Sequence, residues 1–383
     1  MAESQYRVLV NTSTLMQGGA LQVATAFIEH AMQDPDTAGW EYMVSRAAAQ
    51  ELTGFGIDIS ASCFHVFDKS PARNADERDK ARKIEAQMQP DLVFTLFGPA
   101  YVKFSGRHLC GVADPWVTHS SWLAFKTLGL SLETLKMIGT MAWKALWWKR
   151  VDYWWTEAPV AKEGLISRLR CAPEKIFIIP NTVGPQFERN NVRASFSGGE
   201  KVQILCLSAY YCHKNLEIIP DVILELERLR SDLDFEFTVT LPEDIPEVKN
   251  ILQHAERVGV RNRINNLGRV PVSKTPSLYA TSHIAFLPSL LEVFSAVYPE
   301  SLCTGVPLVT TDLRFARDAC KDAAAYFTPG DACSAASQII HLAEDESYWQ
   351  QKSDRGHEVF KDFPNAAEKW GLQKKVITHV AAL

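Results

Sequence analysis

The chain has 383 residues, 46% of them hydrophobic, which is enough for two or three domains with separate cores and excludes a single small binding module. Lys plus Arg number 40 against 45 Asp plus Glu, a net charge of -5, and without a basic tail nucleic acid is not an expected partner. The 8 cysteines form no C-x-x-C pair and have no His at zinc-ligand spacing, so they read as reduced thiols.

Apolar runs of strand character alternate with amphipathic stretches, the pattern of βαβ units, and the predicted fold class is α/β. Strands are predicted at 6–11, 40–45, 63–67, 91–97, 108–113, 151–156 and 175–179, making one doubly wound sheet. After the first, Gly18 and Gly19 break the chain, and Val23, Ala24, Phe27, Ile28 and Ala31 recur at helical spacing. The stretch 184–200 is polar, holds three Gly and one Pro, and reads as a linker. A second sheet is predicted from 202–208, 235–241, 264–267, 284–288 and 307–311, and only helical sequence follows residue 331. The expected division is 1–183, the linker, 201–355, and a final helix over 356–383 packing back on the first domain. Two such domains would face a central cleft lined by the carboxyl ends of both sheets.

The segment 132–155 is apolar nearly all round. Leu135, Ile138, Met141, Ala142, Ala145 and Leu146 outnumber a narrow stripe of Glu133, Lys136, Thr140 and Lys144. Trp143, Trp147, Trp148, Lys149 and Arg150 cluster at its end. The expectation is a largely buried helix covering the first sheet, with Trp154 and Trp155 on the next strand. The alternative is a cationic helix lying among lipid headgroups. Glu3, Gln5 and Arg7 stand where a leader would be apolar, and no run of 18 apolar residues occurs. The expected location is therefore cytoplasmic or peripheral on the inner face of a membrane.

Residues 288–311 hold the densest chemistry. Glu292 follows an apolar strand, and Glu300 lies inside a helix with Pro299 near its start. The N–H groups of Ser295, Ala296 and Val297 come at or before that helix start, where free donors and the macrodipole favour a phosphate. Lys214, followed by Asn215, sits just after the first strand of the second domain and can neutralise a diphosphate. His119 ends the loop 114–119 after a strand, placed to hydrogen-bond a ligand or support charge. Plainer alternatives exist for each: a solvated acidic helix face, a surface lysine, a loop histidine, a tight turn at the glycines.

Together these residues resemble the retaining GT-B glycosyltransferases of family 4, through Glu292 and Glu300 in E-x7-E, then Gly305, Pro307 and the strand from Leu308 to Thr310. The resemblance implies a GT-B fold and transfer of a sugar from a nucleotide diphosphate sugar to a glycan or lipid-linked acceptor hydroxyl, without metal or other cofactor. It further implies Glu292 at the sugar, Glu300 on the ribose, Lys214 on the diphosphate, and His119 near the transferred sugar. Gly18 and Gly19 correspond to the family's glycine loop, and Arg269, Val270, Phe294, Ser295, Ala296 and Val297 complete the expected donor site. The family's usual mechanism is same-face attack, in which the departing phosphate helps deprotonate the acceptor. Two departures stand out: Ser208 replaces a usual Arg, and Val293 and Ser295 replace usual glycines. A sugar-nucleotide epimerase of the same fold, or a subunit that binds donor without turning it over, are the alternatives.

Overall fold

The computed structural model describes residues 6–16, 19–129, 131–190, 194–197 and 199–383. It divides into two compact units: Met1–His119 with Leu132–Pro180 and Ala367–Leu383, and Ser120–Ser131 with Asn181–Ala366.

In the first unit, seven strands form one sheet: β1 Val8–Thr12, β2 Glu41–Ser45, β3 Phe64–Phe67, β4 Leu92–Thr95, β5 His108–Gly111, β6 Tyr153–Thr156 and β7 Ile176–Ile178. Their order is β3-β2-β1-β4-β5-β6-β7 and every pairing is parallel. Strands covered on both faces need side chains that are apolar on both, hence runs such as Val8-Leu9-Val10, all fully buried. Helix Gly19–Gln33 buries Leu21, Ala24, Phe27, Ile28 and Ala31 against this sheet. The C-terminal helix Ala366–Ala382 adds Ile377 and Val380 to the same core. Trp370 Nε1 and Lys374 Nζ both donate to Asp34 Oδ2, at 2.8 and 2.7 Å, and Arg107 donates to the carbonyls of Val380 and Ala381.

In the second unit, six parallel strands are ordered β10-β9-β8-β11-β12-β13: β8 Val202–Cys206, β9 Phe235–Val239, β10 Ile264–Asn266, β11 Ile284–Leu287, β12 Leu308–Thr311 and β13 Ala325–Phe327. Twelve of the thirteen were predicted; β13 was not. Three further differences appear. The stretch 184–200 is no free linker: helix Pro185–Asn190 forms within it, Ala194 N donates to Thr304 O, and the buried Phe196 ring lies 6.0 Å from that of Trp349. Residues 346–360 form a helix of the second unit, so only the last helix joins the first unit. Finally, the helix Leu132–Trp148 is not the buried cover that its composition suggested, because Trp148 is its only buried residue. Trp154 and Trp155 are buried on β6 as expected.

Candidate active site

Each sheet has one place where the strand order reverses, between β1 and β4 in the first and between β8 and β11 in the second. At such a point the connections leave in opposite directions and open a crevice beyond the carboxyl ends of the two strands. In the second unit both flanking loops carry predicted site residues. The β8 loop ends in the turn Cys212–Lys214 and in Asn215, whose φ of 54° is left-handed. The β11 loop runs through Ser289 to Ala296 into helix Val297–Thr304.

The two loops are tied. Leu290 N donates to His213 O at 2.8 Å, and Lys214 Nζ lies 2.5 Å from Glu292 Oε1. Both side chains are almost out of solvent, 13% and 7% exposed, so the pair is held at low dielectric, where each charge depends on the other. Beside it, the Asn215 Nδ2 and Ser289 Oγ atoms are buried with no hydrogen-bond partner among the described residues. Buried donors of this kind are costly unless a ligand or water completes them.

Helix Val297–Thr304 supplies the rest. Tyr298 N donates to Ser295 O in its first turn, so the N–H groups of Ser295, Ala296 and Val297 stand at the positive end. Ser295 and Val297 are buried and Ala296 is exposed, while the Phe294 ring packs edge-on to Tyr298 at 6.4 Å. Val293, where the family has glycine, is buried. Glu300, one turn further in, is buried and accepts from the Tyr279 hydroxyl at 3.2 Å. Burial pushes the Glu300 carboxyl up to about 8, with the Tyr279 bond opposing. At neutral pH it therefore holds a proton. Gly305 closes this helix at φ 71°, and a Cβ there would sit 2.6 Å from His357 Nε2 and 2.7 Å from Ser353 Oγ. That is a physical reason for glycine at this point of the motif.

Other predicted residues lie elsewhere. Arg269 and Val270 follow β10, the edge strand two positions from β8. The Arg269 guanidinium is exposed and bidentate to Asp244, at 2.8 and 3.0 Å, rather than joined to the Lys214–Glu292 pair. It does not replace the charge missing at Ser208, whose hydroxyl donates to Ala209 O. In the first unit, Gly19 opens its helix at the β1 end and a Cβ there would meet open space; Gly18 lies outside the described residues. His119 ends helix Pro115–His119, with Nδ1 2.8 Å from Thr118 Oγ1. Asp114 caps that helix by accepting from Trp116 N, and also takes Lys144 Nζ at 2.7 Å. Tyr279 was missed by sequence reasoning. It sits in the short helix Thr275–Ala280, and nothing in the sequence pattern marks it as a partner for Glu300.

Residues 188–359 match the family described as Glycosyl transferases group 1. A phosphatidylinositol N-acetylglucosaminyltransferase subunit of Arabidopsis thaliana is 29% identical over 152 residues, 39% of this chain and 32% of its own. The chain thus spans about a third of the length of the curated relatives it matches. Among solved structures, the sucrose-phosphate synthase of Thermosynechococcus elongatus is 11% identical with a TM-score of 0.73, over 99% of this chain and 100% of that one. Anabaena HepE in complex with UDP and glucose is 15% identical with a TM-score of 0.69, over the same 99% and 100%. Those likenesses, at such low identity, concern the fold. Sheet order, the switch-point site and these matches agree: the chain has the GT-B fold, and its residues 188–359 belong to the glycosyl transferases group 1 family.

Proposed function

We propose that the chain is a retaining, metal-independent glycosyltransferase that moves a hexosyl group from a nucleotide diphosphate sugar to a glycan or lipid-linked acceptor hydroxyl. The observation that carries this reading is the Lys214–Glu292 pair at the second switch point, beside a helix N-terminus. In the free protein the ammonium neutralises the carboxylate. An arriving diphosphate competes for Lys214, with the N–H groups at Ser295 to Val297 as further donors. Glu292 then meets the sugar hydroxyls. Glu300 gives up its proton and accepts from the ribose hydroxyls. As the glycosidic bond breaks, negative charge grows on the leaving phosphate, where the Lys214 ammonium and N–H dipoles stabilise the transition state more than the ground state. The acceptor oxygen attacks from the same face and its proton passes to that phosphate, so Glu292 forms no covalent bond.

HepE was captured with UDP-glucose, which makes UDP-sugars the first donors to test. Calorimetric titration with UDP-, GDP- and dTDP-sugars, followed by turnover across glycan and lipid-linked acceptors, decides the matter. Saturable binding of one donor with acceptor-dependent release of nucleotide is expected, and no binding of any donor would refute the reading. The uncharged Ser208 favours a second reading, a subunit that binds donor without turnover. Binding without turnover across the acceptor panel would establish it.

A further inference from the structure

The helix Leu132–Trp148 leaves its apolar side uncovered. Leu132, Leu135, Ile138, Trp143 and Leu146 are between 42% and 76% exposed, and with Gly139 and Ala142, also exposed, they recur at steps of three and four along one face. The opposite side seats the helix on the first unit: Trp148 is buried, Met141 and Ala145 pack on the same core, and Lys144 turns inward to Asp114. Composition alone does not separate these two sides. The fold does.

The rim of the exposed face is aromatic and cationic. Trp143 stacks on Tyr101 at 4.8 Å, Trp147 meets Tyr101 edge-on at 6.1 Å, and the Arg150 guanidinium lies over the Trp147 ring at 4.6 Å. Lys136, Lys149 and Arg150 are exposed, against one exposed acid on the helix, Glu133. Seventeen residues make about 25 Å of helix, and no helix among the described residues is long and apolar enough to cross a membrane. A helix with one apolar face, Trp at the edge and cations beside it is built to lie in an interface.

We propose that this face docks the protein on the surface of an anionic bilayer, with Leu132, Leu135, Ile138 and Leu146 in the acyl boundary and Lys136, Lys149 and Arg150 among the headgroups. Charge selects this occupant. A second copy packed about a two-fold axis would bring like cations together, whereas anionic headgroups neutralise them. The inference deepens the reading of a lipid-linked acceptor and names the surface that reaches it, but its test uses no donor. A failed docking experiment therefore leaves the donor titration standing, and a failed titration leaves the docking result standing.

The test is co-flotation of the whole chain with phosphatidylcholine vesicles, with and without about 30 mol% phosphatidylglycerol. The wild type is expected to bind the anionic vesicles at least about tenfold more strongly than the neutral ones, and less so in high salt. Leu135→Asp with Leu146→Asp should abolish binding. Both positions are exposed, and unchanged circular dichroism will verify the fold. Should that variant misfold, Lys149→Ser with Arg150→Ser provides the second reading, an expected loss of about fivefold per cation removed. The proposal is overturned if wild type and either folded variant bind anionic vesicles equally, or if the wild type does not bind them. A concentration-dependent dimer in light scattering, broken by the leucine variant, would overturn it in favour of a second copy.

Discussion

Tyr279 donates its hydroxyl hydrogen to Glu300 Oε2 at 3.2 Å, which keeps a buried acid oriented on the helix that starts beside the Lys214–Glu292 pair. The Glu300 carboxyl, raised by burial to about 8, is protonated in the free protein at pH 7. Ribose hydroxyls that donate to it favour its ionised form, so donor binding should release close to one proton at pH 7. Calorimetry in two buffers of different ionisation enthalpy measures that proton, and Glu300→Gln should erase it. Stability follows the same sign. The folded pKa lies above the ordinary 4.5, so this contribution is fully present below 4.5 and lost as pH rises through about 8. Melting temperature should fall over that window in the wild type and stay flatter in Glu300→Gln.

Glu300→Ala should raise the donor Kd about tenfold or more, since charge-assisted hydrogen bonds are worth roughly 1.5–3 kcal/mol. Unchanged donor affinity in a folded variant removes the ribose role.

Glu292→Gln should separate from it kinetically. A carboxylate whose contact strengthens only in the transition state lowers kcat and kcat/KM together, and a drop on the order of a hundredfold fits lost preorganised charge. Wild-type turnover with only a raised KM would remove Glu292 from the sugar.

Lys214→Met removes the ion-pair partner of the buried Glu292 carboxylate, at about 3–5 kcal/mol in stability by the usual cost of breaking such a pair. Adding Glu292→Gln should restore much of that loss. Denaturant unfolding of the two single variants and the double variant gives the coupling, and strictly additive losses would mean the pair is not formed.

Chelators should leave turnover unchanged if Lys214 and the N–H groups at Ser295 to Val297 provide the positive charge for the leaving phosphate. The readout is nucleotide release in EDTA; activity lost there and regained with Mg²⁺ or Mn²⁺ would assign that charge to a metal.

The sheets were legible because a parallel strand buried on both faces must be an uninterrupted apolar run, as at Val8 to Val10 or Ile284 to Leu287. The strand β13, Ala325 to Phe327, escaped because Ala323 and Ala324 run straight into it, and alanine, a strong helix former, gives this short apolar run no strand character. The Trp-rich helix misled for the opposite reason. Its apolar residues run nearly all round, so the pattern says helix and not which side is covered. Glu292, Glu300 and Lys214 were singled out by their places after predicted strands together with the family resemblance, and the structure pairs Lys214 with Glu292. What spacing cannot carry is contact across the chain: Tyr279 on Glu300, or Asp244 occupying Arg269.

The return of Ala366–Ala382 to the first unit bears on how the chain is made. Ile377 and Val380 complete a core begun by Val8 and Val10, and Asp34 receives Trp370 and Lys374. Roughly 190 residues intervene between Pro180 and the final segment. At a synthesis rate of about 5–20 residues per second, the ribosome delivers that covering helix about 10–40 s after the rest of the first unit has emerged. For that interval helix Gly19–Gln33 and its sheet have apolar surface waiting for its partner, which makes the nascent first unit a natural client for chaperones.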